Sequence, residues 1–267
     1  MKNRASAKFA GNFRAFLSAL SFLTRLPLPG FLHKKINKDT ARNDFKRSVY
    51  WFPAAGFILG VLVVIFDITL RFLFPLPLAT GLLLTIYVAM TGGLHLDGLM
   101  DSADGLLSGR QAEKIPEIMR DSTSGAFAVI AVLLYLLLKF LCFWFVFSDW
   151  RPGAFVLMAV LSRLIMSFAL MKLPIISDSL AGAFAGDFTP GAIGKILWLP
   201  VLLIFLLIYF NFLPLYVILI ATVFALLLTM LLTKTVIDLL GGMTGDVFGL
   251  LNELIELLVL LVIIALQ

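Results

Sequence analysis

Three aspartates near the middle of the chain have the spacing of a single helix face. Asp97, Asp101 and Asp104 lie within GGLHLDGLMDSADGL, residues 92–106. At about 100° per residue, an α-helix would place them within roughly 60° of one another. Carboxylates this close repel each other, and hard oxygen ligands of this type suit Mg²⁺ or Mn²⁺. The pattern predicts that the three aspartates bind a divalent cation and include a catalytic base; the alternative is a solvated acidic helix face.

The neighbours of these aspartates allow further predictions. Gly98 and Gly105 each follow an outer aspartate. We predict that they leave the helix surface bare, so that a phosphate can approach. His95 would lie about 160° away from the aspartates on the same helix. It is a candidate catalytic residue, and a hydrogen-bonded histidine at a helix start is an equally good interpretation.

The next polar segment is EIMRDSTSGAF, residues 117–127, which leads into an apolar stretch. A Ser/Thr run before a helix is ordinary N-capping. The free N–H groups at that helix start are also suited to bind a phosphate, with Arg120 as the charged partner. We therefore predict Asp121 as a catalytic residue and Arg120, Ser122 and Arg110 as substrate-binding residues.

A third cluster, GGMTGD at residues 241–246, precedes the last apolar stretch. A turn followed by a helix cap explains it, and substrate binding by Thr244 and Asp246 is the alternative that we carry forward. Glu253 lies at the membrane boundary and needs a partner there, for which Arg163 is a candidate. Arg163 and Glu253 are accordingly also predicted to bind substrate.

The elements that must position these residues are membrane helices. Hydrophobic residues make up 61% of the 267 positions and charged residues only 14%, against about half and a quarter in soluble domains. This composition excludes an ordinary soluble protein and predicts an all-α polytopic transmembrane helical bundle of about seven spans. The seven apolar stretches are 49–70, 76–92, 125–147, 153–173, 195–211, 213–232 and 249–266, of which the second and fifth are short.

The basic residues predict how this bundle is oriented. Of the 21 Lys and Arg, 11 lie in residues 1–47, where residues 9–25 have the pattern of an interfacial amphipathic helix. With seven spans, 17 Lys and Arg fall on the N-terminal side and 2 on the other. The positive-inside rule then predicts a cytoplasmic N-terminus. The net charge of +5 reflects membrane topology, so nucleic acid is not a predicted partner, whereas membrane lipid is.

The same alternation places three polar connections, 93–124, 174–194 and 233–248, beside the N-terminus. The second contains Asp178 and Asp187 in a Gly-rich loop, which is either solvated or a substrate lid. A transporter would place its polar groups near the bilayer midplane. Polar groups gathered at one end of the helices favour an enzyme, and a transporter remains the alternative from another class.

Motifs along nearly the whole chain resemble one enzyme family. They are FLTRLP (22–27), WFPAAGFILG (51–60), the aspartate segment, EIMRDSTSGAF, LSR (161–163) and GGMTGDVFG (241–249). In this order they resemble the adenosylcobinamide-GDP ribazoletransferase (cobalamin-5′-phosphate synthase) family. The aspartate motif followed by Arg-Asp-Ser is the specific part, whereas FLTRLP is weak. Thr123 and Ser124 depart somewhat from the commonest family wording.

The resemblance implies a reaction, a cofactor and substrates. Adenosylcobinamide-GDP and α-ribazole, or its 5′-phosphate, would yield adenosylcobalamin, or its 5′-phosphate, and GMP, with Mg²⁺ as cofactor. We predict one integral membrane catalytic domain, 1–267, in the cytoplasmic membrane of a bacterium or archaeon, with its active site facing the cytoplasm. Within it, 1–47 is a basic interfacial segment and 92–125 the acidic active-site segment. A homo-oligomer is compatible with the sequence.

A second family shares part of the aspartate pattern. The D-x-x-D-G-x-x-A-R core of CDP-alcohol phosphatidyltransferases is matched by Asp101, Asp104 and Gly105. Arg110 then comes one position late, and no second G-x-x-x-D-x-x-x-D half follows. A CDP-alcohol phosphatidyltransferase-like membrane phosphotransferase is therefore the alternative enzymatic function.

Overall fold

The computed structural model of the chain describes residues 2–27, 38–176, 180–184 and 191–267. Within these ranges the structure is helical, and the only β-type pairing is a single bridge between Ile175 and Met243. The α-helices are α1 (Lys2–Leu23), α2 (Lys38–Ser48), α3 (Phe52–Leu73), α4 (Leu76–Thr91), α5 (Leu94–Leu107), α6 (Ile115–Met119), α7 (Ala126–Phe145), α8 (Arg151–Lys172), α9 (Ala192–Tyr209), α10 (Leu215–Leu240) and α11 (Gly245–Leu266). Short 3₁₀ turns occupy Val49–Trp51, Ala112–Lys114 and Leu180–Phe184.

Five helical segments in the described part of the chain are long and apolar enough to cross a membrane. They are Asn43–Leu73, Ala126–Phe145, Arg151–Lys172, Leu215–Leu240 and Gly245–Leu266. Helices α4 and α5 reach this length only as a pair bent by 88°, and the apolar helix Ile193–Tyr209 is shorter. The all-α polytopic membrane bundle is thus confirmed. All seven predicted stretches are helical, but the two short ones do not reach spanning length alone, so the count of seven is not matched.

The centre of the bundle is the close packing of α3 on α8. Gly56 and Gly60, four residues apart on α3, face α8. A Cβ at Gly56 would lie 2.3 Å from the carbonyl oxygen of Ala159, and one at Gly60 would lie 2.7 Å from Cα of Val156. Small residues at this spacing let membrane helices approach backbone to backbone. Helix α8 is buried along most of its length and forms the core around which the other helices pack.

The aspartate-bearing helix α5 begins at a sharp bend after α4. Gly92 and Gly93 have φ values of 65° and 70°, a left-handed conformation that glycine adopts without steric cost. The chain therefore turns by 88° and α5 packs against α11 and α7. At the contact with α11, a Cβ on Gly98 would lie 2.7 Å from the carbonyl oxygen of Asp246.

The two glycines beside the aspartates make helix contacts that were not predicted from the sequence. Gly98 lets α5 approach the backbone of α11. Gly105 faces α6, where an added Cβ would lie 3.0 Å from Sδ of Met119. Helix packing explains both positions, and Gly98 also lines the cleft described below.

The FLTRLP segment joins the end of α1 to the end of α4. The Thr24 hydroxyl donates to the carbonyl of Leu20 at 2.6 Å, and the backbone N–H of Arg25 donates to the carbonyl of Met90 at 2.7 Å. The predicted N-terminal helix is present and begins earlier, at Lys2. Its C-terminal end is fixed against the bundle, so that Phe22 lies beside α3.

The basic N-terminal segment and the three polar connections meet at one end of the bundle. Phe22, Asp97, Ile176 and Asp246, one residue from each, line a common cleft. This shared cleft is consistent with their predicted location on the same side of the membrane. Asp178 and Asp187, the predicted lid residues, lie outside the described residues.

Candidate functional site: a cleft at the polar end of the bundle

The cleft has a volume of about 410 Å³, within the usual range for small-molecule sites. Its walls come from α1, α3, α5, α6, α8, the turn Leu180–Phe184 and the start of α11. The polar side chains among its described lining residues are His95, Asp97, Arg120, Thr244 and Asp246. These five predicted residues are brought together from segments far apart in sequence.

Helix α11 begins at this cleft. Thr244 is its N-cap, and the Thr244 hydroxyl accepts a hydrogen bond from the backbone N–H of Val247 at 3.3 Å. The capping interpretation of GGMTGD is therefore correct, and Thr244 also lines the cleft beside Gly245 and Asp246. A helix N-terminus favours anions through its free N–H groups and its dipole. This end of α11 is thus suited to face a phosphate.

Asp97, Asp101 and Asp246 form an acidic group where α5 meets α11. Asp101 lies on α5, outside the five spanning helices, and its pKa is raised to about 6, first by partial burial and then by the charges of Asp97, Asp246 and Asp104. Asp101 thus gains a proton more readily than an ordinary aspartate, because burial and, after it, the neighbouring carboxylates disfavour its charged form. Asp246 lies on α11 and reaches the acidic group only because α11 packs against α5. The spacing of aspartates within one helix could not predict this contact.

The acidic group has the donor chemistry for a hard divalent cation. Among the described residues, no three carboxylate, imidazole or thiol side chains are close enough to hold an ion by themselves. Mg²⁺ is commonly bound by one or two carboxylates together with substrate phosphates. The residues fit that type of site, in which the protein supplies part of the ligand set.

Asp104 makes a structural contact that was not predicted from the sequence. One of its carboxylate oxygens accepts from the N–H of Gly125 at 2.5 Å, and the other accepts from the N–H of Ala128 at 2.8 Å. Asp104 therefore caps the N-terminus of α7 from a neighbouring helix. We had predicted that these N–H groups would bind a phosphate together with Arg120. Two of them, those of Gly125 and Ala128, are occupied by the carboxylate, so fewer N–H groups at α7 are free for a phosphate than the sequence predicted.

Three other predicted residues do not line the described cleft. Asp121 is exposed and accepts hydrogen bonds from Thr123, from the backbone N–H at 2.9 Å and from the hydroxyl at 2.7 Å. These hydrogen bonds, that of the backbone first, lower the pKa of Asp121. Ser122 lies exposed in the same turn, and Arg110 is exposed beyond the end of α5. The structure therefore gives Asp121 a turn-stabilising role and does not bring Ser122 or Arg110 to the site.

Arg163 and Glu253 belong to a buried network below the cleft. Its members are Tyr87, Tyr135, Lys139, Arg163, Glu253 and Glu256. Lys139 contacts Glu253 at 3.1 Å and Glu256 at 2.5 Å, and Arg163 also contacts Glu256. Arg163 is 0% exposed and Glu253 is 3% exposed. We therefore assign both residues to this buried network and not to substrate binding.

His95 lies between the cleft and the buried network. It is 4% exposed and lines the cleft. Its Nδ1 is 3.9 Å from a carboxylate oxygen of Glu253, beyond hydrogen-bonding distance, and has no hydrogen-bond partner. The structure thus brings His95 to the site without deciding between the two predicted interpretations.

Two sets of residues were not predicted from the sequence. The first is Lys139, whose position inside an apolar stretch was the available signal, because a charge at that depth requires a partner. The second is an aromatic group, Phe22, Phe52 and Phe184, which lines the cleft. Phe22 belongs to the FLTRLP motif, which had carried little weight.

These features define the class of the protein: an integral membrane α-helical bundle with an acidic, phosphate-compatible cleft at one end. A family model described as cobalamin-5-phosphate synthase matches residues 15–264. The chain belongs to this family.

Curated relatives agree with that assignment. Adenosylcobinamide-GDP ribazoletransferase of Desulfitobacterium hafniense is 36% identical over 258 residues, covering 94% of this chain and 96% of the relative. The proteins of the same name from Thermoanaerobacter pseudethanolicus and Clostridium botulinum are 30% and 31% identical, covering 91% and 93% of this chain and 94% and 96% of the relatives. No solved structure matches the chain.

Proposed function

We propose that this protein joins α-ribazole, or its 5′-phosphate, to adenosylcobinamide-GDP. A ribose hydroxyl oxygen forms a bond to the phosphorus attached to cobinamide, and the pyrophosphate P–O bond to GMP breaks. GMP leaves with the electron pair, and the hydroxyl proton passes to a base. The product is adenosylcobalamin or its 5′-phosphate. Support comes from the family membership and from the relatives named for this transfer.

The observation that carries the proposal is the meeting of Asp97, Arg120 and Asp246 in one cleft. Arg120 is suited to hold the pyrophosphate, because a guanidinium binds phosphate oxygens in a planar, bidentate manner. The N–H groups at the start of α11 add to this anion site. Asp97 or Asp246 is suited to accept the proton of the attacking hydroxyl.

We also propose Mg²⁺ as the cofactor, held by the acidic group and completed by the pyrophosphate. When bound there, the ion would neutralise the pyrophosphate and the charge that develops on the departing phosphate. Removing the ion by a chelator is expected to abolish turnover and leave the fold unchanged. Full turnover after chelation would exclude this part of the proposal.

The proposed location is the cytoplasmic membrane, with the cleft facing the cytoplasm. Support comes from the 11 Lys and Arg in residues 1–47 and from the meeting of this basic N-terminal segment with the cleft. In a chain lacking Cys142, a cysteine at Gln111 should react with an impermeant maleimide only when the cytoplasmic face is accessible. A cysteine at Asp149, at the other end of α7, should show the opposite pattern. The reverse result would contradict the orientation.

The reaction itself is tested with purified protein in detergent micelles. With adenosylcobinamide-GDP, α-ribazole and Mg²⁺, we expect equal amounts of GMP and adenosylcobalamin. Replacement of adenosylcobinamide-GDP by CDP-diacylglycerol should give no transfer. Transfer from the CDP-lipid without GMP formation would instead support the phosphatidyltransferase alternative.

A further inference from the structure

The cleft combines two chemically different groups of residues. Asp97, Arg120 and Asp246 supply charge. The aromatic group, Phe22, Phe52 and Phe184, comes from α1, α3 and the turn Leu180–Phe184. It continues into the apolar side chains of Met166 and Leu170 on α8, and none of these side chains has a hydrogen-bond donor or an oxygen or nitrogen acceptor. The proposed substrates are also divided, into charged phosphates and aromatic bases.

Phe22 is the partly exposed ring of the aromatic group, whereas Phe52 and Phe184 are 0% and 2% exposed. The Phe22 ring centroid lies 6.0 Å from that of Phe52 in a stacked arrangement and 5.0 Å from that of Phe184 in an edge arrangement. Phe45 packs on it from outside the cleft at 5.7 Å. Because three rings hold it, Phe22 is a preorganised apolar surface, which reduces the entropy lost on binding.

The proposed reaction involves two bases, guanine and the base of ribazole, which differ in their hydrogen-bonding groups. Guanine carries donors and acceptors on its edge, and burying these without partners costs free energy. The aromatic group offers no such partners, whereas the acidic group and Arg120 do. The benzimidazole base of ribazole has an apolar carbocyclic edge and a flat face that stacks on aromatic rings.

We infer that Phe22, supported by Phe52 and Phe184, forms the subsite for the base of ribazole and favours apolar bases over polar ones. This inference rests on the proposed function. It places the ribazole base at the aromatic group and leaves the phosphates and guanosine of the other substrate to the charged residues.

The first test replaces the aromatic ring and keeps its apolar character. Stacking of a base on a side chain is worth a severalfold to about a hundredfold change in affinity. In Phe22→Leu we expect the KM for α-ribazole to rise about tenfold, with the KM for adenosylcobinamide-GDP nearly unchanged. Phe16→Leu is the matched control, because Phe16 is on the same helix and makes an edge contact with Trp51 at 5.7 Å but does not line the cleft. It should leave both KM values unchanged.

The second test needs no variant and so does not depend on folding of Phe22→Leu. The native protein is given α-ribazole or the corresponding α-riboside of adenine, whose exocyclic amine would be buried unpaired. We expect a kcat/KM at least about tenfold lower for the adenine compound. Equal values for the two compounds, an unchanged ribazole KM in Phe22→Leu, or a rise only in the KM for adenosylcobinamide-GDP would each overturn the inference.

The failure of the proposed function has a different signature. In that case the native protein would release no GMP with any base. A base subsite without the proposed reaction would still bind α-ribazole in an equilibrium binding measurement, and Phe22→Leu would weaken that binding. Turnover with α-ribazole that is insensitive to Phe22 would overturn only the subsite.

Discussion

The cleft and the buried network both contain charged side chains, but they balance their charges differently. In the buried network, two carboxylates contact two cationic side chains, and Tyr87 and Tyr135 donate to the same carboxylates. In the cleft, two carboxylates of the acidic group, Asp97 and Asp246, are among the lining residues, and Arg120 is the only lining cation among the described residues. The network is nearly neutral, and the cleft carries excess negative charge.

This difference separates a structural role from a functional one. Charges buried in a membrane bundle are tolerated when each is paired and hydrogen-bonded. In the buried network, both carboxylates are paired with cations without any ligand, although Nε and Nη2 of Arg163 have no hydrogen-bond partner among the described residues. The acidic group carries an excess of carboxylates instead, and the pKa of Asp101 is raised, first by partial burial and then by the charges of Asp97, Asp246 and Asp104. An uncompensated cluster at the open end of a bundle is where a cation and a substrate are expected to bind.

The largest expected effect is the loss of stability when the balance of the buried network is broken. Glu256→Gln would leave Lys139 and Arg163 with one carboxylate fewer. Removing one partner of a buried ion pair costs about 3–5 kcal/mol. We expect a large fall in the thermal unfolding temperature in detergent. An unchanged temperature would mean that the network does not contribute to stability and that its charges serve the reaction.

The complementary effect in the cleft is a loss of activity without loss of stability. Asp97→Asn removes one charge from the acidic group and relieves repulsion, so the unfolding temperature should stay level or rise. Turnover, measured as GMP release, should fall at least about a hundredfold, which is typical of losing an acid–base or metal-binding group. A variant that is unstable and still active would assign Asp97 to structure.

Local features of the fold and site could be predicted from the sequence, whereas contacts between distant residues could not. The apolar stretches are long local signals, so every predicted span is a helix. Asp97 and Arg120 were found because their types and motif were unusual. The network was not assembled from sequence because Lys139 and Glu253 lie 114 positions apart. A solitary lysine in an apolar stretch indicates that a partner exists without telling which one.

The position of the α5 aspartates in the fold was likewise not predictable from the sequence. Two left-handed glycines turn the chain, and the packing of α5 on α11 decides where each aspartate lies. Periodicity grouped Asp97, Asp101 and Asp104 correctly on one face of a helix. It did not show that Asp104 would meet α7, or that Asp246 would join the others from α11, because both contacts are tertiary.

The next prediction tests whether Arg120 binds phosphate. Lysine keeps the charge but does not reproduce the bidentate geometry of a guanidinium. We expect Arg120→Lys to raise the KM for adenosylcobinamide-GDP about tenfold at fixed Mg²⁺, with little change in the KM for α-ribazole. The matched control is Arg110→Lys, since Arg110 is exposed and does not line the cleft. Equal, mild effects at both positions would place the phosphate site at the start of α11 alone.

The smallest expected effect is that of replacing Asp104, which we expect to differ from Asp97 on the same helix. Asp104 accepts from the N–H groups of Gly125 and Ala128, so Asp104→Ala should act as the loss of a helix cap. Such losses cost about 0.5–2 kcal/mol. We expect a modest fall in the unfolding temperature and a turnover reduced far less than in Asp97→Asn.

The reason is that the Asp104 carboxylate, like the carboxylates of the buried network, has partners within the protein. The acidic group beside it carries an excess of carboxylates instead. The Asp104 carboxylate accepts hydrogen bonds from the start of α7, whereas Asp97 lines the cleft. Measuring GMP release and thermal unfolding for both variants side by side makes the distinction. If Asp104→Ala were as stable as the native protein and as inactive as Asp97→Asn, then Asp104 would be a ligand of the reaction centre, and its contact with α7 would open when substrate binds.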